Sequence, residues 1–376
     1  MKKTIKYKLY PSQAQVERLE ATLGVCCELY NAAVQERRDA YRVTGRSPGC
    51  AEQQAQLPGI KAVCEDVAAV HSQVLQETLR RVDLAFDGFF RRVKNGERPG
   101  YPRFRHRSRY DSFTYPQSGF ELEDGKLRLS KIGRLKIKLH RPVEGKIKTL
   151  TIKREAGCWY ACLSVECDTK PLPASNEAVG IDVGLYAFAT LSDGTEIENP
   201  RHYREAAARL SRAQRKVARR KKGSRRRKKA VRELQRTHAH VRNQRANFHH
   251  KLARWLVVRF GLMVIEDLNV KGLARGMLAK SVNDAGWSAF ISKLLYKAEE
   301  AGRVVVKVNP SGTSQRCLCG APNPKTLSQR WHSCEVCGLT AGRDHVSAQE
   351  ILRLGRSLIA PTCPGGECVA MEASPF

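Results

Sequence analysis

Three acidic residues lie beside apolar, strand-like segments of this 376-residue sequence. Asp182 falls inside VGIDVG, Glu266 ends MVIE, and Asp344 begins the helical pattern DHVSAQEIL. A carboxylate within or at the end of a buried strand is costly unless it is paired or binds a metal ion. Carboxylate oxygens suit Mg2+, which keeps other coordination positions open for water and phosphate. If the fold gathers the three, they indicate two-metal phosphodiester hydrolysis, in which one ion activates water and a second, roughly 4 Å away, stabilises the leaving oxygen.

Each carboxylate also has an ordinary structural interpretation. A single acid beside a strand is usually a turn or cap residue, and Asp344 alone would suit the first turn of a helix. Asp193 and Glu196 are assigned to that class. Asp182 lies inside the strand pattern, close to Gly184, which allows close backbone approach. A D-x-G turn also holds nucleotide phosphates in sugar-kinase and actin-like ATPases, but the further glycine-rich phosphate loops of those enzymes are not found.

Four of the thirteen cysteines have the spacing of metal ligands. They read C-x-C, fourteen residues, C-x-x-C, and a glycine follows the second pair, as in a zinc knuckle: Cys317, Cys319, Cys334 and Cys337. We predict that they bind Zn2+ structurally. The first pair is one residue short, so His332 could replace one sulfur, and a reduced-thiol turn without metal is the alternative. The odd total argues against a disulfide scaffold, and packing is expected for Cys26, Cys27, Cys64, Cys158 and Cys162.

The chain is strongly basic, with 67 Lys and Arg against 37 Asp and Glu, a formal net charge of +30 and an isoelectric point near 9.9. Such an excess indicates a polyanionic partner, and nucleic acid is the first candidate. One stretch, RHYREAAARLSRAQRKVARRKKGSRRRKKAVRELQ, is nearly all of one sign and lies between the two strands that carry Asp182 and Glu266. Phosphate binding is therefore preferred there over a merely solvated face. The residues predicted to bind nucleic acid are Arg215, Lys216, Arg219, Arg220, Lys221, Lys222, Arg225 and Arg226.

No secretory apolar segment follows the basic amino terminus, and no apolar stretch approaches the length of a membrane span. We therefore expect an unexported, cytoplasmic and nucleoid-associated protein without a membrane partner.

The residue periodicity predicts the elements that position these side chains. The first segment, KKTIKYKLY, is strand-like, and residues 13–41 and 72–93 are helical. Hairpins at Asp124-Gly125 and Ala156-Gly157 then mark a β-rich module that the first strand is expected to join.

After a Pro/Ser linker at 170–178, the pattern changes to alternating strands and helices. The prediction comprises short strands within 179–198, a helical hairpin at 201–260 broken at Gly223-Ser224, a strand at GLMVIEDL, one helix at 283–302, a buried strand at RVVVKV and a last helix from Asp344. This order indicates a mixed α/β sheet with helices packed against it.

In their order, the blocks GIDVGL, IEDLNV, SVNDAGWSAFISKLLYKAEEAGR, NPSGTSQRC, CEVCG and GRDHVSAQEIL resemble TnpB, a family of transposon-encoded RNA-guided nucleases related to compact type V CRISPR effectors. The resemblance extends from the first strand to about residue 355. It implies that Asp182, Glu266 and Asp344 are the catalytic, Mg2+-binding triad. The third block departs from the family's D-R-D-x-N-A-A, since Gly342 and Val346 replace an Asp and an Asn.

The implied fold is an α/β RNase H-like (RuvC) nuclease domain with a long helical insertion and a zinc-ribbon-like insert, preceded by a β-barrel wedge domain that carries a helical recognition insert. The expected boundaries are 1–10 for the first wedge strand, 11–100 for the recognition insert, 101–170 for the wedge barrel, 171–310 for the first nuclease part with the basic hairpin 201–260, 311–340 for the zinc-ribbon-like insert, 341–355 for the last nuclease part and 356–376 for a flexible tail.

The implied function is Mg2+-dependent cleavage of double-stranded DNA that pairs with a guide RNA derived from the transposon end, next to a short target-adjacent motif. A monomer with one active site is expected. The alternative is a nuclease-inactive, RNA-guided DNA-binding repressor, against which the intact triad argues. An RNA-binding protein of the ribosomal kind would explain the charge but not the carboxylates. A transposase would need a tyrosine nucleophile and a paired-His metal site, neither of which is visible.

Overall fold

The computed structural model describes residues 1–123, 125–326 and 328–359, and the chain divides into two compact units, Met1–Asp168 and Thr169–Phe376. Each unit has hydrophobic core clusters of its own. Within the described ranges, no helix combines the length and the apolarity that a membrane span requires.

The first unit is a seven-stranded antiparallel sheet with helices packed on it. Its strands are β1 Lys2–Tyr10, β2 Ser112–Tyr115, β3 Phe120–Glu123, β4 Lys126–Leu129, β5 Gly133–Lys138, β6 Lys146–Glu155 and β7 Cys158–Glu166. Its helices are α1 Gln13–Thr44, α2 Cys50–Ala55, α3 Leu57–Val63, α4 Glu65–Ala68 and α5 Ser72–Lys94.

Alternation in β1 has the predicted consequence, because Ile5, Tyr7 and Leu9 are buried while the lysines between them are exposed or half-buried. β1 pairs with both β5 and β7, which confirms that the first strand joins the later ones. The sheet order is β2-β6-β7-β1-β5-β4-β3, with β2 and β3 at its ends. Closure into a barrel therefore stays a prediction.

Helix α1 begins at a capping box, in which the Ser12 side chain accepts from the Gln15 backbone N–H and the Gln15 side chain accepts from the Ser12 N–H. The predicted hairpin at Ala156-Gly157 joins β6 to β7. The other predicted hairpin joins β3 to β4, although Asp124 itself lies outside the described residues.

The second unit contains a mixed five-stranded sheet of order β10-β9-β8-β11-β12. Strands β8, β11 and β12 are parallel, whereas β9 and β10 are antiparallel to their neighbours. The elements are β8 Ala178–Val183, β9 Ala187–Leu191, β10 Glu196–Glu198, α6 His202–Ala218, α7 Arg225–Arg259, β11 Leu262–Glu266, α8 Val270–Leu273, α9 Ala279–Ala285, α10 Trp287–Glu300, β12 Val304–Val308, β13 Trp331–Ser333, β14 Thr340–Gly342 and α11 Arg343–Ile359.

Two predictions for this unit are wrong in detail. The single helix over 283–302 is two helices, because Gly286 adopts a left-handed conformation, with φ of 67°, where α9 ends and α10 begins. β12 is an edge strand rather than a buried one, since it pairs only with β11 among the described strands, and Val304 is 53% exposed. The last helix extends to Ile359, and the rest of the predicted tail lies outside the described residues.

Helix α11 packs very closely on β8 at Gly180, which has no side chain. A Cβ atom placed on Gly180 would lie 2.0 Å from the carbonyl oxygen of Ala348. We expect Gly180→Ala to push α11 away from the sheet and to lower the free energy of unfolding by about 1–3 kcal/mol. Denaturant unfolding measures this cost, and Gly276→Ala, at a position with ordinary contacts, is the control. Equal midpoints for the two variants would contradict the packing argument.

Candidate active site and four-cysteine centre

Parallel pairing of β8 and β11 places two of the three predicted carboxylates beside each other. The register pairs Ile181 with Ile265, and the next residue along each strand is Asp182 and Glu266, respectively. Adjacent strands are about 4.8 Å apart, so both side chains lie at the carboxyl ends of neighbouring parallel strands. The two segments are distant in sequence, and only this pairing brings them together.

The third carboxylate reaches the same region through helix packing. Asp344 lies in the first turn of α11, and this helix packs on β8, β9 and β11. Gly355 allows α11 to pack closely on β11, because a Cβ atom there would lie 2.4 Å from the side chain of Val264. The side chain of Asp344 is 35% exposed.

The electrostatic interaction of these acids is visible in the pKa of Asp182. The pKa of Asp182 is raised well above its usual value, first by burial and then by the negative charges of Glu266 and Asp344, while Arg343 acts in the opposite direction. Burial also raises the pKa of Glu266, and the Thr313 hydroxyl opposes this increase. The three acids therefore share one electrostatic environment that favours a cation.

The acids are spaced more widely than the cysteines. Within the described part of the chain, the four cysteines are the only group of three or more potential metal ligands whose donor atoms all lie within 4.8 Å of one another.

Three polar residues contact or act on the acidic cluster, and the sequence did not identify them as functional. The Thr313 hydroxyl donates to Glu266 Oε1 at 2.5 Å. Arg330 Nη1 lies 4.0 Å from Asp344 Oδ2. Arg343 is buried and donates to the carbonyl oxygens of Thr326 and Gln329, at 3.0 and 3.4 Å, and to Ser314 Oγ at 3.4 Å. Thr313 is part of NPSGTSQRC, but no local pattern separates a hydroxyl of this kind from an ordinary turn residue.

The four cysteines converge as their spacing predicts. Cys317 Sγ lies 3.5 Å from Cys337 Sγ, and Cys319 Sγ lies 3.8 Å from Cys334 Sγ. The shortened C-x-C pair therefore reaches the same cluster as the C-x-x-C pair. His332 lies outside the cluster and contacts Lys325 instead.

Backbone turns at both pairs prepare the thiols for a metal. Gly320 N–H donates to the Cys317 carbonyl and Gly338 N–H to the Cys334 carbonyl, each at 2.9 Å, and both glycines have positive φ. The backbone N–H groups of Cys337 and Val336 lower the pKa of Cys334 to about 7, with burial acting against them. Four thiols of this kind, one of them readily ionised, suit Zn2+.

The basic hairpin forms as predicted, from α6 and α7, with a turn at Gly223-Ser224. The Ser224 hydroxyl accepts from the Arg227 N–H and begins α7. All eight residues predicted to bind nucleic acid are exposed. Basic side chains also line a groove of about 1060 Å³ between the two helices, namely Arg209, Arg212, Lys216, Arg225, Lys228, Lys229, Arg232 and Arg236.

Lys216, one of the eight, forms an ion pair, in which its Nζ lies 2.6 Å from Glu233 Oε2. No ion pair with another described residue involves the remaining seven. Four of these, Arg219, Arg220, Lys221 and Lys222, follow the carboxyl end of α6, where positive charge is favourable. The turn of the hairpin is therefore its most available cationic surface.

Three family models match the chain. Residues 161–277 match OrfB_IS605, described as "Probable transposase", and residues 287–351 match "Cas12f1-like, TNB domain". Residues 1–46 match "Helix-turn-helix domain", although the structure has one strand, β1, and one helix, α1, in this range. The second match includes the four-cysteine centre and α11 as far as residue 351.

Curated relatives match the chain over nearly its whole length. A protein of Streptomyces pristinaespiralis named "Putative RNA-guided DNA endonuclease" is 38% identical over 387 residues, which cover 100% of this chain and 94% of the relative. "Putative RNA-guided DNA endonuclease InsQ" of Escherichia coli K12 is 30% identical, with coverage of 94% and 92%.

The fold is shared with solved structures at low sequence identity. The structure titled "Cryo-EM structure of the Cas12f1-sgRNA-target DNA complex" matches with a TM-score of 0.59 and 13% identity, and covers 93% of this chain and 98% of that one. The "mini-RNA-guided endonuclease CRISPR-Cas_phi3" matches with a TM-score of 0.52 and 10% identity, with coverage of 94% and 92%. By its full-length relatives and its matched segments, the chain belongs to the TnpB (OrfB_IS605) family, which is related to Cas12f.

Proposed function

We propose that this chain is an RNA-guided, Mg2+-dependent endonuclease that cleaves double-stranded DNA complementary to a transposon-end-derived guide RNA, next to a short target-adjacent motif. The observation that carries the proposal is the convergence of Asp182, Glu266 and Asp344, from three distant segments, at the carboxyl ends of β8 and β11. The names of the two full-length relatives support the same activity. One chain supplies all three carboxylates, which agrees with a monomer.

The acidic cluster fits magnesium by its donor chemistry. All three ligands are carboxylates, the hard oxygen donors that this ion prefers, and the negative charges of Glu266 and Asp344 help burial to raise the pKa of Asp182. Bound Mg2+ ions would activate water and stabilise the leaving oxygen of the phosphodiester. The order of the mixed sheet, with β8 and β11 central and parallel, supports assignment to the RNase H-like (RuvC) class.

The basic hairpin is proposed to bind nucleic-acid phosphates. Its turn residues are exposed and of one sign, and contacts to phosphate position a strand without reading its sequence. Sequence would be read by base pairing to the guide, while the protein recognises shape and the adjacent motif.

A direct test uses the protein purified with its copurifying RNA. We expect sequencing to return a transcript of the transposon end, and a plasmid library with a matching target and randomised flanks to be cut in Mg2+ at one flanking motif. Bulk ribosomal RNA in place of a discrete guide would contradict the proposal.

A nuclease-inactive, RNA-guided repressor is the second candidate. The observation in its favour is that Gly342 and Val346 replace two polar residues of the family's third block, and Val346 is buried. Such a protein would bind the guided target in the library experiment without cutting it.

Removing charge from the hairpin turn tests the phosphate contacts. We expect conversion of Arg219, Arg220, Lys221 and Lys222 to Gln to weaken nucleic-acid binding and to reduce the slope of log Kd against log salt by about 0.9 for each lost contact, because fewer counterions are released. Filter binding across a salt series measures the slope. Lys216→Gln, at an ion-paired position, should change it less. An unchanged slope in the fourfold variant would return this turn to the role of a solvated face.

A further inference from the structure

Thr313 has the most direct contact with the acidic cluster. Its side chain is buried, at 4% exposure, and its hydroxyl lies 2.5 Å from Glu266 Oε1 and 3.1 Å from the Pro310 carbonyl oxygen. A hydroxyl has one proton to donate. The shorter contact is to the charged group, so it is the stronger, charge-assisted hydrogen bond.

The backbone around Thr313 holds this hydroxyl in place. Gln315 N–H donates to the Gly312 carbonyl at 3.0 Å, which closes a turn around Thr313. The Gln315 side chain donates to the Lys325 carbonyl at 3.0 Å and accepts from the Lys325 N–H at 2.6 Å. Thr313 is therefore tied to the loop that carries the cysteines.

Glu266 needs such a partner more than the other two acids do. It is the last residue of β11, and its longer side chain has one more rotatable bond than an aspartate. Ordering a side chain of this kind costs conformational entropy. A buried hydroxyl at a fixed position reduces that cost before a cation binds.

We propose that Thr313 is a positioning residue that fixes the Glu266 carboxylate in its cation-binding orientation. The inference rests on the proposed function, in which Glu266 binds the divalent ion. Outer partners of metal ligands orient the ligand, and their loss typically weakens metal affinity or activity by about 10–100-fold. Thr313 acts through Glu266 and not on the reacting atoms.

The test compares Thr313→Val, which removes the hydroxyl at similar volume, with Thr313→Ser, which retains it. Titration of zinc-loaded protein with Mn2+, followed by the EPR signal of the free ion, gives the affinity without any cleavage reaction. We expect about 10-fold weaker binding in the Val variant and a value within about twofold of wild type in the Ser variant. Thr78→Val, which removes a buried helical hydroxyl in the first unit, should bind as wild type does.

A double-mutant cycle makes the result specific to Glu266. In a Glu266→Gln background, Thr313→Val should weaken Mn2+ binding no further, because the ligand it positions is already lost. Wild-type affinity in Thr313→Val, or equal losses in both backgrounds, would overturn the inference. If Thr313→Val loses zinc or melts early, Thr313→Ala in the same cycle decides the matter.

Failure of this inference differs from failure of the proposed function. If Asp182→Asn abolishes cleavage while Thr313→Val binds Mn2+ normally, only the positioning role is wrong. If Asp182→Asn cleaves as wild type does, the active site itself is wrong, whatever Thr313 does.

Discussion

Asp182→Asn should lower the rate of guided DNA cleavage by about 1000-fold or more while leaving guide and target binding nearly unchanged. The negative charges of Glu266 and Asp344 both act on Asp182 and, together with burial, raise its pKa. Losing a metal ligand removes several kcal/mol of transition-state stabilisation, and each 1.36 kcal/mol is tenfold in rate. Single-turnover cleavage and filter binding measure the two quantities.

Asp267→Asn is the matched control for this experiment. Asp267 directly follows Glu266, but its carboxylate is exposed and pairs with Lys307 at 3.1 Å. We expect it to cleave at nearly the wild-type rate. Retained cleavage in Asp182→Asn would reject the active site.

Asp182→Asn should also stabilise the metal-free protein at neutral pH. Because the folded-state pKa of Asp182 lies above its ordinary value of 3.8, the folded protein binds the proton more tightly than the unfolded one. Stability is therefore retained below pH 3.8 and is lost as the pH rises toward the folded-state pKa. Removing the charge should raise the Tm of the second unit by about 2–4 °C, which corresponds to roughly 1 kcal/mol for a unit the size of Thr169–Phe376.

Calorimetry of protein dialysed free of divalent cations other than its zinc measures this gain. The difference between Asp182→Asn and wild type should shrink toward pH 4. Added Mg2+ should raise the Tm of wild type more than that of the variant, because ligand binding stabilises only the state that holds the site. A variant that melts below wild type at pH 7 would show that the three acids do not repel one another as described.

The second large effect concerns the four-cysteine centre, where Cys334→Ser should remove the bound zinc and unfold the surrounding insert. Binding of structural zinc contributes about 10–16 kcal/mol in small domains at neutral pH. The regular secondary structure of the insert is short, since β13 and β14 have three residues each. Metal analysis should find one zinc per wild-type chain and none in the variant, and limited proteolysis should cut the variant between Cys317 and Cys337.

The control is Cys162→Ser, which replaces a half-buried thiol in β7 of the first unit. This variant should retain zinc at the four-cysteine centre. Gln315, which closes the turn around Thr313, is hydrogen-bonded to Lys325 of this insert, and Arg343 to Thr326. The Cys334 variant should therefore also lose affinity for Mn2+ at the acidic site. A Cys334→Ser protein that retains one zinc and resists protease as wild type does would contradict the assignment.

Local patterns in the sequence were sufficient for most of the elements and for the residue types of the two candidate centres. The alternation of KKTIKYKLY and the Gly223-Ser224 break each depend on neighbours within a few residues, so periodicity and turn chemistry predict them. The cysteine spacing is local in the same sense. The apolar run around Asp182 likewise predicted that this carboxylate lies in a strand, which is β8.

Tertiary structure decided which of these residues meet. Adjacency of Asp182 and Glu266 depends on β11 pairing in parallel with β8, and the approach of Asp344 depends on the close packing of α11 over Gly180. The hydrogen bond from Thr313, the ion pair of Lys216 and the edge position of β12 were likewise not predicted. The physical reason is that periodicity tells which face of an element is buried but not which other element covers it, because that choice is made by contacts between distant parts of the chain.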